Sequence, residues 1–183
     1  MDNALILLAF GIIAYVVLTN QQVGQLASDS VDFSINNDGS LSVSIDNTSQ
    51  DVDTLARTAW GEDRSGGAEG MQAVMNVVMN RYALAQTSVA YAQQFGSTVA
   101  GVCTKPYQFS AWLVNDPNYA KMEAVTSSDP NFAEALQLAQ LAVNGQLQDI
   151  TGGALYYNAN SLGAPDGTVV LANIGGQTYY NYA

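Results

Sequence analysis

The stretch "WGEDR", residues 60–64, places a glutamate, Glu62, between an aromatic side chain and an arginine. The chain has no histidine and a single cysteine, Cys103, so the residue types that most often act as bases and nucleophiles are scarce. A lone cysteine in an apolar stretch, with no histidine to serve as its base, is predicted to be a small buried hydrophobe. Neither zinc nor any other cofactor is expected. Chemistry in this chain must therefore rest on carboxylates, hydroxyls and amides.

Charge is distributed unevenly along the 183 residues, whose formal net charge is −11. Residues 1–53 hold seven acidic residues and no Lys or Arg, whereas residues 54–183 hold nine acidic and five basic residues. Affinity for nucleic acid comes largely from clustered Lys and Arg that neutralise phosphates. A nucleic-acid partner is therefore not expected, and the acid excess belongs mainly to an amino-terminal appendage.

The amino terminus contains an uninterrupted apolar run from Ala4 to Leu18. Fifteen helical residues span about 22 Å, somewhat less than a hydrocarbon core of about 30 Å. The run predicts a membrane anchor helix within residues 1–20. A cleaved signal peptide and a buried core helix are the alternatives, although the only charge before the run is Asp2, which does not suit a signal peptide.

Residues 21–50 are predicted to be an acidic linker that contains a β-hairpin. Apolar residues alternate with polar ones over 31–35 and again over 41–45, and "NNDG" between them supplies turn residues. A lone two-stranded hairpin is marginal in water. Its apolar face is therefore expected to rest on the following domain, on a second copy, or on another protein.

From residue 51 the pattern indicates helices followed by strands, which is typical of an α+β domain over 51–183. The first helix should contain Leu55 to Trp60 and be interrupted at Gly61, and a second should run from about Ala68 to Leu84. A third should follow Asp129-Pro130 and end at Gly145. Short strands are predicted in "GGALYYNA", "TVVLAN" and "QTYYNY".

Four blocks carry a family resemblance: "LARTAWGEDRSGGAEGMQAVMNVVMNR", "TVAGVCTKPYQFSAW", "LQDITGGALYYNAN" and "IGGQTYY". In this order they resemble the cell wall hydrolase family of the spore-cortex-lytic enzymes SleB and CwlJ, from about Leu55 to Tyr180. The resemblance implies a small lysozyme-like α+β domain, peptidoglycan glycan strands as substrate, and Glu62 as general acid. Whether the reaction is hydrolysis or lytic transglycosylation is left open.

The chain departs from the family pattern at several positions, including the "TGGALYYN" strand, where the family commonly has histidines. Asp63 stands where the family usually has alanine, Gly66 where a second glutamate is common, and Gln177 where a histidine is common. Glycosidases usually need a second carboxylate. Asp63 is a poor candidate because adjacent helical residues point about 100° apart. Glu69, across a glycine-rich turn, could come nearer, and a single-acid route needs no partner.

Glycan strands bind to aromatic faces, amides and hydroxyls, so the family blocks contain further candidates for substrate binding. They are Glu69, Gln108, Phe109, Ser110, Trp112, Tyr156, Tyr157 and Asn158. Because successive strand residues face opposite ways, only one of Tyr156 and Tyr157 is expected to line the cleft.

The leading hypothesis is a membrane-anchored peptidoglycan-cleaving enzyme with a transmembrane helix, a β-hairpin appendage and an α+β catalytic domain. It would act on the extracytoplasmic side or in a membrane-containing virion, and a bacteriophage particle could carry it for wall penetration or lysis. Its expected partners are lipid through residues 4–18 and a virion or envelope protein through the 31–45 hairpin. The alternative is a structural membrane or virion protein with a degenerate, glycan-binding lysozyme-like domain.

Overall fold

The computed structural model describes residues 3–9, 12–18, 30–35, 41–46 and 48–183, with side chains from Ser49 onward. The chain divides into two compact units, residues 1–50 and 51–183.

The first unit contains strands where the apolar run predicted a membrane helix. Strand β1 (Asn3–Ala9) pairs antiparallel with β2 (Ile12–Leu18), with Asn3 opposite Leu18 and Ala9 opposite Ile12. The helix predicted over 4–18 is therefore wrong. A short apolar run lacks the periodicity that separates a buried helix from a strand, and this one is rich in β-branched Ile and Val. Among the described residues, no helix is long and apolar enough to cross a membrane.

A second strand pair follows, where alternation predicted the hairpin. Strand β3 (Ser30–Ile35) pairs antiparallel with β4 (Leu41–Asp46). The register sets three apolar pairs opposite one another: Val31 and Ile45, Phe33 and Val43, Ile35 and Leu41. Cross-strand apolar pairs of this kind stabilise a two-stranded sheet.

The first helix, α1 (Thr48–Asp63), starts three residues before the boundary and supplies the first element of the second unit. A single turn of 3-10 helix (Arg64–Gly66) joins it to α2 (Gly67–Ala85). The remaining helices are α3 (Val89–Phe95), α4 (Val99–Cys103), a 3-10 turn (Ser110–Trp112), α5 (Tyr119–Ala124) and α6 (Pro130–Val143).

Local signals explain the ends of α6. The Asp129 side chain accepts a hydrogen bond from the main-chain N–H of Phe132, and Pro130 occupies the first turn. Both features suit a helix start, where main-chain N–H groups lack partners within the helix. Gly145, with φ of +70°, follows the helix, so both predicted boundaries are confirmed.

Gly61 does not interrupt α1, contrary to the prediction. A Cβ atom at this position would lie 2.6 Å from the Cβ of Ala111, a distance that real Cβ atoms do not show. Glycine is therefore needed at this position for close packing. It lets α1 approach the 3-10 turn that contains Ala111.

Helix α2 is the centre of the core. Met71, Val74, Met75 and Val78 are fully buried in a cluster formed mainly by helices. Ala73 and Val77, on another side of the same helix, are buried against Ala154 and Tyr179 of the sheet region. Because α2 is covered on both sides, it holds the helices and the sheet in one structure.

The sheet has three antiparallel strands: β5 (Tyr156–Ala159), β6 (Thr168–Ile174) and β7 (Gln177–Tyr182). Their order is β5-β7-β6, so β7 is the central strand. Tyr157 is opposite Tyr179, and their ring centroids are 5.5 Å apart. The predicted α+β fold and the three predicted strands are confirmed.

Candidate active site

Glu62 lies in the last turn of α1, one residue before the helix ends. Its side chain accepts hydrogen bonds from three donors. Oε1 accepts from the main-chain N–H of Ala111 at 2.8 Å and from Ser110 Oγ at 3.2 Å. Oε2 accepts from the hydroxyl of Tyr157 at 2.8 Å. The carboxyl group is thus held at both oxygens by two separate parts of the chain.

This carboxyl group lines a cavity of about 460 Å³, a size typical of small-ligand sites. The cavity is formed by α1, α2, the 107–113 segment and the sheet. Its lining residues are Glu62, Arg81, Tyr107, Gln108, Ser110, Leu113, Tyr156, Tyr157 and Tyr180. Glu62 is the only carboxylate among the residues that line this cavity within the described part of the chain.

Tyr157 is positioned by strand β5 and packs on the ring of Tyr179 across the sheet. Burial raises the pKa of the Tyr157 hydroxyl well above its ordinary value, and the nearby charge of Glu62 raises it further. The hydroxyl therefore keeps its proton at any working pH. A neutral hydroxyl can donate a hydrogen bond to Glu62 or accept one from it.

Arg81, near the carboxyl end of α2, supplies the positive charge of the cavity. Its side chain is 4% exposed, and its Nε donates to the carbonyl oxygen of Leu155 at 2.7 Å. Burial lowers the pKa of this guanidinium.

Four of the predicted binding residues line the cavity with Glu62: Gln108, Ser110, Tyr156 and Tyr157. The prediction that only one of the two adjacent tyrosines would do so is wrong. Strand β5 is an edge strand, and the cavity borders it, so residues from both of its faces reach the lining. The two differ in their contacts, since Tyr157 bonds to Glu62 while the Tyr156 hydroxyl accepts from Gln94 Nε2 at 3.4 Å.

The other four predicted residues lie outside the cavity lining. Glu69 is exposed in the first turn of α2, and Phe109 is a buried core residue. Trp112 donates through Nε1 to Thr58 Oγ1 at 2.9 Å, and Asn158 donates through Nδ2 to the carbonyl of Gly163 at 2.8 Å. The contacts of Phe109, Trp112 and Asn158 stabilise the fold around the site.

Neither arginine near Glu62 in sequence pairs with it. Arg57 forms an ion pair with Asp53 at 2.7 Å. The guanidinium of Arg64 lies over the Trp60 ring, 4.4 Å from its centroid, and donates to Asn118. Glu62 is therefore not the carboxylate of a surface ion pair with either neighbouring arginine.

Asp63 points away from the cavity, as expected for a residue adjacent to Glu62 in a helix. It is 5% exposed and accepts a hydrogen bond from the main-chain N–H of Gly66 at 3.1 Å. Burial raises the pKa of this carboxyl group, although hydrogen bonds from Gln177, Gly66 and Ser65 oppose the shift. Its role is to shape the turn between α1 and α2.

The sequence did not identify four of the lining residues: Arg81, Tyr107, Leu113 and Tyr180. A signal existed for Arg81, because it follows Val74 and Val78 at helical spacing and therefore lies on the buried stripe of α2. Tyr107 has φ of +65° and is 86% exposed at the cavity. No local pattern distinguishes such a tyrosine from any other loop residue.

Among the described residues there is no group of three or more Asp, Glu, Cys or His side chains that could hold a metal ion. Cys103 is buried, and burial raises the pKa of its thiol to about 12. The chemistry available in the cavity is proton transfer by one carboxyl group, aided by hydroxyl, amide and guanidinium donors.

The chain is similar to known proteins over most of its second unit. Residues 65–180 match the model of a family described as Cell Wall Hydrolase. The catalytic domain of the Bacillus cereus SleB protein is 26% identical with a TM-score of 0.54, and the match covers 73% of this chain and 91% of that one. The catalytic domain of the germination-specific lytic transglycosylase SleB from Bacillus anthracis is 26% identical with a TM-score of 0.52, covering 72% and 93%. No curated protein matches the chain.

Proposed function

Because this chain belongs to the cell wall hydrolase family, we propose that it cleaves the glycan strands of peptidoglycan, with Glu62 as the general acid. The family match begins at residue 65, after Glu62, so the assignment of the acid rests on the motif resemblance at "WGEDR" and on geometry. The observation that carries it is the orientation of the carboxyl group, which three donors hold at the wall of the cavity.

The hydrogen bonds also indicate which oxygen carries the acidic proton. The main-chain N–H of Ala111 can only donate, so Oε1 of Glu62 accepts in both protonation states. The proton of the neutral acid is therefore on Oε2, where the hydroxyl of Tyr157 can rotate to accept it. This oxygen would protonate the substrate once the glycosidic oxygen replaces the Tyr157 hydroxyl as acceptor of the proton.

Cleavage then needs two proton transfers at one group. Glu62 gives its proton to the glycosidic oxygen, and the bond between the anomeric carbon and that oxygen breaks, with its electron pair going to the oxygen. The hydroxymethyl oxygen of the same sugar next attacks the anomeric carbon and gives its proton to the Glu62 carboxylate. The products are an anhydro end and a free hydroxyl end, and Glu62 is protonated again.

Lytic transglycosylation suits this cavity better than two-carboxylate hydrolysis. Retaining and inverting glycosidases usually use a second carboxylate within about 5–9.5 Å of the acid. Glu69, the acid that could have filled that role, is exposed and does not line the cavity. The solved relative from Bacillus anthracis is itself described as a lytic transglycosylase.

The test is digestion of purified peptidoglycan by the wild-type protein, by Glu62→Gln and by the matched control Glu69→Gln. Glu62→Gln should lose about 10²–10⁴-fold in rate, the usual contribution of a general acid, while Glu69→Gln should retain wild-type activity. Mass spectrometry should find anhydro ends among the products. Reducing ends would indicate hydrolysis instead of transglycosylation.

Inactivity of the wild-type protein on several wall types, equal to that of Glu62→Gln, would overturn the proposed activity. Wall binding retained without any cleavage would favour a glycan-binding structural protein.

We extend the proposal to the first unit, because peptidoglycan lies outside the cytoplasm and the catalytic unit must act there. Residues 4–18 would associate with lipid, and the strand pair β3–β4 would rest on an envelope or virion protein. Hydrogen exchange of the membrane-bound protein tests both parts. Slow exchange is expected in the paired strands, over 4–9 and 12–18 and over 30–35 and 41–46, because main-chain groups in paired strands exchange slowly. Rapid exchange throughout 30–35 and 41–46 would show a plain linker.

A further inference from the structure

Arg81 is a buried cation in the wall of the cavity that contains Glu62. Its guanidinium carbon lies over three aromatic rings, at 5.6 Å from the centroid of Phe95, 5.1 Å from Phe109 and 5.5 Å from Tyr156. Its Nε donates to the carbonyl oxygen of Leu155. The rings and this hydrogen bond fix the plane of the guanidinium group.

In the described part of the chain, Arg81 forms no ion pair with a carboxylate. The ion pair found there joins Arg57 and Asp53. Nη1 of Arg81 is buried and makes no hydrogen bond with any described residue. A buried N–H group without an acceptor is costly, and a buried charge without a partner is more so. The three rings offset part of the cost of the charge, and an acceptor bound in the cavity that Arg81 lines would offset more of it.

A purely structural role explains only part of this arrangement. The bond from Nε to Leu155 ties α2 to the segment before β5, and a neutral donor could make the same tie. It does not explain why a full positive charge forms part of the cavity lining. Arginine is suited to binding carboxylates because it presents several donors in a fixed plane.

We propose that Arg81 is a substrate-binding residue that donates to the lactyl carboxyl group of a muramoyl sugar bound beside Glu62. This inference rests on the proposed function. Only alternate sugars of a peptidoglycan strand carry a lactyl group, whose oxygens are those of a free carboxylate or of an amide carbonyl. Arg81 would therefore fix the register of the strand and select which of the two alternating glycosidic bonds Glu62 protonates.

Three monosaccharides that cannot be cleaved separate the two oxygen sources. N-acetylmuramic acid has the lactyl carboxylate, its methyl ester keeps the carbonyl without the charge, and N-acetylglucosamine lacks the group. The full-length protein should bind the acid about tenfold more tightly than N-acetylglucosamine, as a charge-assisted hydrogen bond predicts. Weak binding of the ester would indicate recognition of the carboxylate, and binding equal to the acid would indicate recognition of the carbonyl oxygen.

Nuclear magnetic resonance of the arginine side chains gives a direct readout in the wild-type protein. The chain has three arginines, at positions 57, 64 and 81. The acid should shift the Nε signal of Arg81 and leave the other two unchanged. Because this comparison needs no variant, it does not depend on whether a substituted protein folds.

Variants then test the cause of the preference. Arg81→Gln should abolish it, Arg81→Lys should retain part of it, and Arg64→Gln, outside the cavity, should leave it intact. Equal binding of all three sugars by the wild type, or a preference that persists in Arg81→Gln, would overturn the inference. These results are separate from the activity test. Cleavage without the preference contradicts only the role of Arg81, and the preference without cleavage contradicts only the proposed enzyme.

Discussion

Tyr157 is the side chain that holds the Glu62 carboxyl group at Oε2. Its hydroxyl is the one described group bonded to Oε2, the oxygen that we propose carries the acidic proton. Because burial and the Glu62 charge raise its pKa, the hydroxyl does not compete with Glu62 for loss of a proton. It can therefore orient the acid in both of its states.

Tyr157→Phe should retain the fold and lose about 10- to 100-fold in kcat, because a hydrogen bond to a charged group contributes about 1.5–3 kcal/mol. Tyr91→Phe is the control, since Tyr91 is exposed and lies outside the cavity lining. Rates on purified glycan strands would check this. If both variants had equal activity, the hydroxyl of Tyr157 would have no role in positioning Glu62.

At the scale of elements, the close approach of α1 to the 110–112 turn aligns the main-chain donor of Ala111 with Glu62. Gly61 makes that approach feasible because it has no side chain. The Glu62 carboxyl group and its donor lie on two elements 49 residues apart in the chain. The orientation of the Glu62 carboxyl group therefore depends on the packing of α1 against the 110–112 turn as well as on the conformation of the Glu62 side chain.

Gly61→Ala should destabilise the protein by about 1–3 kcal/mol, the usual cost of overpacking a core. In an unconstrained helix the same change stabilises by about 0.5–1 kcal/mol. The sign of the change in the free energy of unfolding therefore shows whether the contact with Ala111 is tight. Activity should fall as well, because the turn that contains Ala111 must move away.

The double variant Gly61→Ala with Ala111→Gly removes the Cβ that would collide and should recover most of the loss. Urea unfolding and glycan cleavage would measure the two effects. A double variant no better than Gly61→Ala alone would show that this contact does not limit the packing.

Particular residues show how far the sequence can predict these elements. Asp129, Pro130 and Gly145 are local signals, and they placed the ends of α6 correctly. The motif blocks identified the family, which is confirmed. The apolar run at 4–18 and Gly61 were misread, because apolar composition suits helix or strand and a glycine can end a helix or serve its packing. The donors to Glu62 and the burial of Arg81 depend on contacts distant in sequence, which local patterns do not encode.

At the scale of the whole molecule, two carboxyl groups give stability opposite dependences on pH. Burial raises the pKa of Asp63 above its ordinary value of 3.8. The folded chain therefore binds that proton more tightly than the unfolded chain. The stability contributed by neutral Asp63 is present below pH 3.8 and is lost as the pH rises through the folded-state value.

For Asp149, burial acts in the same direction, but hydrogen bonds from Thr151 and Gly153 outweigh it and lower the pKa. Its contribution is present above the ordinary value and is lost as the pH falls. Asp63→Asn should therefore gain stability relative to wild type as the pH rises from about 3 to 7, and Asp149→Asn should lose it. Thermal unfolding across this range would measure both. The same slope for the two variants would contradict the assignment.

The order of the sheet has a consequence for biosynthesis. Strand β7 is made after β5 and β6 but lies between them, so neither earlier strand has its neighbour until residues 177–182 have been synthesised. Until then, β5, which positions Tyr157 beside Glu62, lacks the strand with which it pairs. A nascent or clipped chain that lacks β7 would leave Oε2 of Glu62 without a held Tyr157 hydroxyl, so full activity against the wall would await completion of the chain.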